Sequence, residues 1–303
     1  MPVHINSLTR REFLASGTAA VLGSVAGVSG WADESARDED RWVLLADTHI
    51  AANREQHHRG VSMAKNLAQV VEQVAALKPR PGGMLIDGDC AFGKGEPGDY
   101  ATFGELLAPV VGTGTPVHLT LGNHDHRENV RQGMKALLPA MHILESKQVS
   151  VVKSRRANWF LLDTLDAVNA TPGKIGDEQL AWLARVLDEH ADHPALIVMH
   201  HNPVFQRDQA TRALMDTEEL FAVLKPRRHV KAVFFGHSHH WSLSKHDGIH
   251  LVNLPPVAYL FIAGDPNGWV DMQIGMAGAT LRLHTLDLSH KSDGLLAELV
   301  WRS

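Results

Sequence analysis

The chain has 303 residues, of which 44% are hydrophobic and 21% are charged, and this composition is ordinary for a globular protein. The formal net charge of -5 offers no basic surface for gripping a polynucleotide backbone, so we expect no polynucleotide partner. The single cysteine, Cys90, excludes an intramolecular disulfide, and the 20 histidines favour metal chemistry.

The N-terminal segment has the pattern of an export signal. Arg10 and Arg11 precede residues 15–30, a stretch of small and apolar residues without a charge. This arrangement is typical of a twin-arginine signal peptide, and the apolar run is short for a membrane-spanning helix. We therefore expect a signal peptide over residues 1–32, the twin-arginine export machinery as a partner, and a periplasmic or extracellular location. The alternative is an amphipathic helix packed on the domain. No later stretch is apolar enough to cross a membrane.

The remaining chain predicts one domain over residues 42–303, preceded by a charged, disordered linker at residues 33–41. In chain order we predict strands at residues 42–46, 83–86, 116–121, 150–152, 159–162, 195–199, 231–235, 250–254 and 280–284, and helices at residues 61–77, 100–110, 128–138, 177–187 and 217–224. The strands after residue 250 are expected to form a meander that completes a second sheet. This order predicts an α/β fold, a four-layer αββα sandwich of two mixed β-sheets flanked by helices.

Polar side chains follow five of the predicted strands directly. They are Asp47 and His49, then Asp89, then Asn123, His124 and Asp125, then His200, and finally His237 and His239. Open α/β folds bind ligands at the carboxyl ends of their strands. Carboxylate, imidazole and amide groups without a thiolate suit Mn, Fe or Zn rather than Cu(I). Hydrolysis by two metal ions needs a bridging carboxylate, terminal ligands and an open side, so the pattern predicts such a site for phosphate esters.

The five motifs D-x-H, G-D, G-N-H-D, H-H-x-P and G-H-x-H occur in that order along the chain. Together they resemble the calcineurin-like metallophosphoesterase superfamily, and five ordered motifs are far more specific than any one of them. Residues 176–187, with Gln179, Trp182 and Leu183, are similar to the helix before the fourth motif in the class III cyclic-nucleotide phosphodiesterase branch. The resemblance covers residues 42–257.

The resemblance implies two bound metal ions, Fe, Mn or Zn, and a hydroxide that bridges them as the nucleophile. The implied ligands are Asp47, His49 and His239 for the first ion, Asn123, His200 and His237 for the second, and Asp89 as the bridge between them.

Two further residues of the G-N-H-D motif are assigned to catalysis. In the family the histidine at the position of His124 reaches the phosphate or the leaving-group oxygen, so His124 is expected to act as a general acid or a transition-state donor. Asp125 is expected to orient His124 or a ligand, with a helix or turn cap as the alternative.

The function implied is hydrolysis of small phosphodiesters, with cyclic nucleotides and glycerophosphodiesters as candidates. A phosphomonoesterase or nucleotide hydrolase on the same site is one alternative. A non-catalytic exported metal-binding protein is the other, although this reading predicts missing ligands and all seven are present.

Neighbouring residues have weaker interpretations. His201 is expected to pack or bond to backbone rather than contact substrate, and Cys90 to be a small buried residue. His126 and Arg127 either meet a substrate phosphate or form an exposed loop pair. The sequence does not suggest a role for Asp87.

Overall fold

The computed structural model describes residues 37–138, 142–144, 147–206 and 212–303. The strands are β1 Arg37–Ala46, β2 His57–His58, β3 Val61–Ser62, β4 Arg80–Asp87, β5 Val117–Thr120, β6 His142–Leu144, β7 Lys147–Lys153, β8 Asn158–Leu161, β9 Ala195–Val198, β10 Val230–Phe235, β11 Ser242–His246, β12 Ile249–Asn253, β13 Gly268–Ile274, β14 Gly278–Thr285 and β15 Leu296–Val300. The helices are α1 Met63–Ala75, α2 Pro97–Gly112, α3 Arg127–Gly133, α4 Asp177–Glu189 and α5 Thr217–Leu224. No helix among these residues is long and apolar enough to span a membrane.

Two large mixed sheets form the centre of the fold. The first sheet has the strand order β15-β14-β13-β1-β4-β5, in which β1, β4 and β5 are parallel and β13 runs antiparallel to β1. The second has the order β11-β12-β10-β9-β8-β7-β6, in which β8, β9, β10 and β12 are parallel. The predicted hairpin is confirmed, because β7 pairs antiparallel with β8.

Side chains alternate along the central strands and so fill three separate hydrophobic layers. In β1, Val43 and Leu45 pack with the apolar faces of α1 and α2, whereas Trp42 and Leu44 lie between the two sheets. A third cluster packs α4 and α5 on the other face of the second sheet. Successive residues of a strand point to opposite faces, so one apolar strand serves two layers. The predicted four-layer sandwich is confirmed.

The helix α1 shows how the sequence specifies an outer layer. The hydroxyl of Ser62 accepts a hydrogen bond from the amide of Lys65 and caps the helix. Leu67, Val71 and Val74 are buried at helical spacing, which directs one face onto the first sheet. The helix thus holds in place the strands whose ends carry the polar motifs.

The expected linker at residues 33–41 is wrong for its second half, because β1 begins at Arg37. The charged residues there are compatible with a strand because they have partners. Arg41 donates to the carboxylate of Asp271 at 2.9 and 2.7 Å, and the buried Asp40 pairs with Arg156 at 2.7 Å. Residues 1–36, which include the expected signal peptide, lie outside the described residues.

The C-terminal strands also differ from the expectation. Instead of completing one sheet, β12 lies parallel to β10 in the second sheet, while β13, β14 and β15 extend the first sheet from β1. Alternating apolar residues identify a strand but not the strand that pairs with it. The helix expected at residues 128–138 is shorter and ends at Gly133.

Candidate metal centre

Five loops meet where the parallel strands of both sheets end. They follow β1, β4, β5, β9 and β10. Backbone hydrogen bonds fasten them in pairs: the amide of His49 donates to the carbonyl of Asp89 at 2.9 Å, and the amide of Gly236 donates to the carbonyl of His200 at 3.1 Å. The structure therefore brings the five sequence motifs together at one edge of the sandwich.

The first group of ligand atoms belongs to Asp47, His49 and His239, and these atoms lie within 4.8 Å of one another. The Nε2 atoms of His49 and His239 are 3.1 Å apart, and Nε2 of His239 is 3.3 Å from Oδ1 of Asp47. Nδ1 of His239 donates to the carbonyl of Tyr259 at 2.6 Å, which turns Nε2 towards the group. Three donors thus converge on one point.

The second group belongs to Asp89, His200 and His237, whose ligand atoms also lie within 4.8 Å. Nε2 of His200 is 3.3 Å from Oδ2 of Asp89, and the same oxygen is 3.7 Å from Nε2 of His49. Asp89 therefore lies between the two groups. Nε2 of His237 donates to the carbonyl of Arg212 at 2.9 Å, which leaves Nδ1 as the ligand atom.

Four buried polar atoms of the expected ligands have no hydrogen-bond partner within the described chain. One is Nδ1 of His49, and the other three are Oδ1 of Asp47, Oδ1 of Asn123 and Nε2 of His200. Buried polar atoms are rarely left unpaired, because the loss of their hydration is costly. Cations bound by the two oxygens and by Nε2 of His200 would satisfy three of the four. The carboxylate, amide and imidazole donors therefore fit the divalent ions that the motifs imply.

Two glycines allow the ligands to approach the backbone. A Cβ on Gly122 would collide with the carboxylate of Asp89, and one on Gly236 would lie 2.5 Å from Oδ2 of Asp47. This oxygen also accepts a hydrogen bond at 3.1 Å from the amide of His237, so the loop of the second sheet is tied to a ligand of the first. Only glycine fits at these two positions without moving a ligand.

The electrostatics of the site follow from burial and from the neighbouring charges. Burial lowers the pKa of His49 to about 3 and that of His237 to about 4, so both imidazoles are neutral, as metal binding requires. Burial opposes charge on Asp89, but the facing His200 holds the pKa of that carboxyl well below its usual range. Burial also opposes charge on His200 and His239, yet the nearby carboxylates raise the pKa of both.

His124 lies at the side of the two groups. Its amide donates to Oδ1 of Asp89 at 2.8 Å, and Nδ1 of its ring donates to the carbonyl of Gly93 at 2.7 Å. The ring lines a cavity of about 430 Å³ together with His49, Asp89 and Asn123. Its remaining nitrogen is thus available to a group bound in that cavity.

Asp125 is not among the residues that line the cavity. Its buried carboxylate accepts hydrogen bonds from the amides of Cys90 at 3.2 Å and Gly122 at 2.9 Å, and from the hydroxyl of Tyr100 at 3.1 Å. Burial raises the pKa of Asp125 to about 6. The residue thus joins the loops of Asp89 and Asn123. Of the alternative, a helix or turn cap, the helix cap is not observed, because His126 caps α3.

The weaker candidates have structural partners. His201 is buried, and its Nδ1 lies 2.8 Å from the hydroxyl of Thr164, so it packs as expected but bonds to a side chain. Arg127 fits neither alternative, because it pairs with the buried Asp163 at 2.7 Å. Asp87 accepts a hydrogen bond from the hydroxyl of Thr120 at 2.8 Å, and burial raises its pKa well above the usual range.

Several residues of the cavity were not found from the sequence. They are Thr171, Asn202, Arg212, Ser238, Tyr259 and Phe261. Asn202 and Ser238 occupy the variable positions of the H-H-x-P and G-H-x-H motifs. The other four lie outside the recognised motifs, and no spacing pattern in the sequence marks them. Tyr259 stacks on His49 with ring centroids 4.9 Å apart, so an aromatic wall adjoins the first group of ligands.

Metal binding should release protons. The nearby carboxylates raise the pKa of His200 and His239, so these imidazoles hold their protons to higher pH than an ordinary histidine, and a bound cation must displace them. Affinity for Mn or Zn should therefore rise with pH above the ordinary histidine range. Calorimetric titration in two buffers with different ionisation enthalpies measures the released protons. Affinity independent of pH, without proton release, would show that these histidines are not displaced.

Comparisons with known proteins agree with this geometry. The model of the family described as calcineurin-like phosphoesterase matches residues 41–241. The chain is 29% identical to the 3',5'-cyclic adenosine monophosphate phosphodiesterase CpdA of Pseudomonas aeruginosa, over 80% of this chain and 85% of that protein. It is 23% identical to the glycerophosphodiester phosphodiesterase GpdQ of Enterobacter lignolyticus, over 71% of this chain and 76% of that protein.

Solved structures support the fold. A dimetal phosphatase from Danio rerio has a TM-score of 0.66 at 16% identity, and the match covers 86% of this chain and 98% of that one. The family match spans two thirds of the chain and includes every ligand candidate from Asp47 to His239, so the family resemblance is confirmed. The chain belongs to the calcineurin-like phosphoesterase family and is a metal-dependent phosphoesterase.

Proposed function

We propose that this centre holds two cations bridged by Asp89 and that the enzyme hydrolyses small phosphodiesters. The position of Asp89 carries the proposal, since one carboxylate oxygen lies 3.3 Å from His200 and 3.7 Å from His49, each in a different ligand group. A carboxylate between two sets of donors is the arrangement that two-metal hydrolysis needs. When bound, the ions activate water and neutralise the phosphoryl oxygens.

His124 supplies the proton for the leaving group. Its Nδ1–H is engaged by the carbonyl of Gly93, which fixes the ring and leaves Nε2 for the substrate. A protonated Nε2 donates to the leaving alkoxide as its bond to phosphorus breaks. Because the amide of His124 also donates to Asp89, the acid is held at a fixed position beside the bridge.

The charge of the site suits a monoanionic substrate. Two divalent ions, the carboxylates of Asp47 and Asp89 and a hydroxide leave a charge of about +1, which complements a phosphodiester. The two relatives, named for cyclic adenosine monophosphate and for glycerophosphodiesters, support the same class. Cyclic nucleotides and glycerophosphodiesters are thus our candidate substrates, and Fe, Mn and Zn our candidate ions.

Alanine at Asn123 and at His124 should separate metal binding from proton transfer. We expect Asn123→Ala to lower metal content, because it removes a ligand oxygen. His124→Ala should retain metal and lower kcat by about 10²–10⁴-fold, because it removes a general acid. Hydrolysis of bis(p-nitrophenyl) phosphate and metal analysis measure both, with the half-buried His193→Ala as the control. Activity that survived chelation and both substitutions would contradict a metal-dependent mechanism.

The choice of substrate class has its own test. We expect kcat/KM for bis(p-nitrophenyl) phosphate to exceed that for p-nitrophenyl phosphate, because the site charge suits a monoanion. Both assays are run with the Mn-, Fe- and Zn-loaded enzyme. Preference for the monoester in all three would favour the phosphomonoesterase or nucleotide hydrolase instead. Two ions per chain without turnover of either ester would favour a metal-binding protein.

We propose that the enzyme is exported by the twin-arginine machinery. The pair Arg10 and Arg11 ahead of an uncharged apolar run supports this proposal. Lysine at both positions keeps the charge but should retain the protein in the cytoplasm. Cell fractionation with immunodetection checks the location, and Lys65→Arg, a charge-conserving change in α1, is the control. Equal export of the double variant and the unsubstituted protein would contradict the proposal.

A further inference from the structure

One wall of the cavity is aromatic and is formed by Tyr259 and Phe261. The ring of Phe261 lies flat on the ligand His239, with centroids 4.1 Å apart and planes inclined by 17°. Phe261 nevertheless remains 49% exposed, and it lines the same cavity as the metal-ligand candidates. A large apolar ring left accessible beside a polar centre is typical of a binding surface.

A short hairpin places a cation over this wall. The strands β2 and β3 are joined by Arg59 and Gly60, whose φ angles of 49° and 83° suit a tight two-residue turn. The hairpin is anchored by His58, whose ring lies 4.6 Å from that of Tyr259. The guanidinium carbon of Arg59 lies 5.0 Å from the ring centroid of Phe261 and 5.9 Å from that of Tyr259.

Arg59 is exposed, and within the described residues no carboxylate pairs with it. Arg54, in the loop that leads into the hairpin, does have such a partner, Glu105 at 2.5 Å. The guanidinium of Arg59 is therefore held by aromatic contacts alone, with its hydrogen-bond donors open to a ligand. The cavity wall thus combines the faces of two aromatic rings with the planar guanidinium of Arg59.

We infer that Arg59, Phe261 and Tyr259 form a nucleobase subsite, so that the preferred phosphodiesters carry a nucleoside. This inference rests on the proposed phosphodiesterase function and names the substrate class. Bases stack on phenyl rings and on guanidinium planes, and the guanidinium also donates to base carbonyls and ring nitrogens. A glycerol group has no π-face for this wall. The cavity volume of about 430 Å³ lies within the range of small-molecule sites.

The test compares two ligands that differ in the base alone. Adenosine 5'-monophosphate and ribose 5-phosphate present the same phosphate to the metal centre, and calorimetry on the Mn-loaded full chain gives both dissociation constants. We expect the nucleotide to bind about tenfold more tightly, as base stacking on an aromatic ring provides. In Phe261→Leu and in Arg59→Gln the two constants should become nearly equal.

Two control variants match these changes. Ile262→Ala alters the next exposed apolar residue, and Arg54→Gln removes a cation from the loop that leads into the hairpin, so both should keep the tenfold ratio. Equal binding of the two ligands by the unsubstituted enzyme would overturn the subsite, as would a ratio retained in both test variants. Equal weakening of both ligands by Arg59→Gln would also overturn it, because Arg59 would then bind phosphate.

The proposed function is judged separately, from hydrolysis of bis(p-nitrophenyl) phosphate by the same Mn-loaded preparation. Absent hydrolysis with a tenfold binding ratio would contradict the phosphodiesterase and leave a nucleotide-binding site. Hydrolysis with a ratio near one would contradict the nucleobase subsite alone.

Discussion

The structure depends on keeping the carboxylate of Asp89 charged although it is buried where the strand ends of the two sheets meet. An isolated carboxylate in this position is costly, and its stability requires positive charge or hydrogen bonds on several sides. Here the imidazoles of His49 and His200 face one oxygen, and the amide of His124 donates to the other. The bare Cα of Gly122 leaves the room that the carboxylate occupies. Cations bound between these groups would offset the remaining cost of burying this negative charge.

The backbone around the site is strained in a regular way. Five of the ligand candidates, Asp47, His49, Asp89, His237 and His239, have φ angles between 45° and 65°. The left-handed region is unfavourable for residues other than glycine, at a cost of about 1–3 kcal/mol each. The strain persists because strands on either side of each loop are fixed in a close-packed sandwich. The four layers therefore impose conformations that let side chains two residues apart point into one cavity.

Much of the centre could be predicted from the sequence, because its ligands lie in short motifs directly after strands. Asp47 with His49 and His237 with His239 stand two residues apart after predicted strands, and the family resemblance marks them as ligand candidates. The role of Asp125 was not predictable in the same way, since it depends on amides from a loop 35 positions away, including that of Cys90. The first layer of ligands is thus encoded locally, whereas its support comes from the fold.

Other features are not encoded in any local pattern. Arg59 and Phe261 come together only because the β2–β3 hairpin packs beside the loop after β12. The pairing partners of the C-terminal strands could not be predicted either. The sequences of β12 and β14 show a similar alternation of apolar residues, but the two strands join different sheets. Helices and central strands were predicted well because their apolar periodicity is strong. Elements defined by long-range pairing were not predicted from the sequence.

Electron paramagnetic resonance of the Mn(II)-loaded enzyme can decide whether two ions share the carboxylate of Asp89. Ions bridged by one carboxylate lie about 3.5–4 Å apart and are exchange-coupled. We predict the spectrum of a coupled pair, which should be replaced by that of isolated ions in Asp89→Asn. The spectrum of isolated Mn(II) in the unsubstituted enzyme, at full metal loading, would contradict the shared carboxylate.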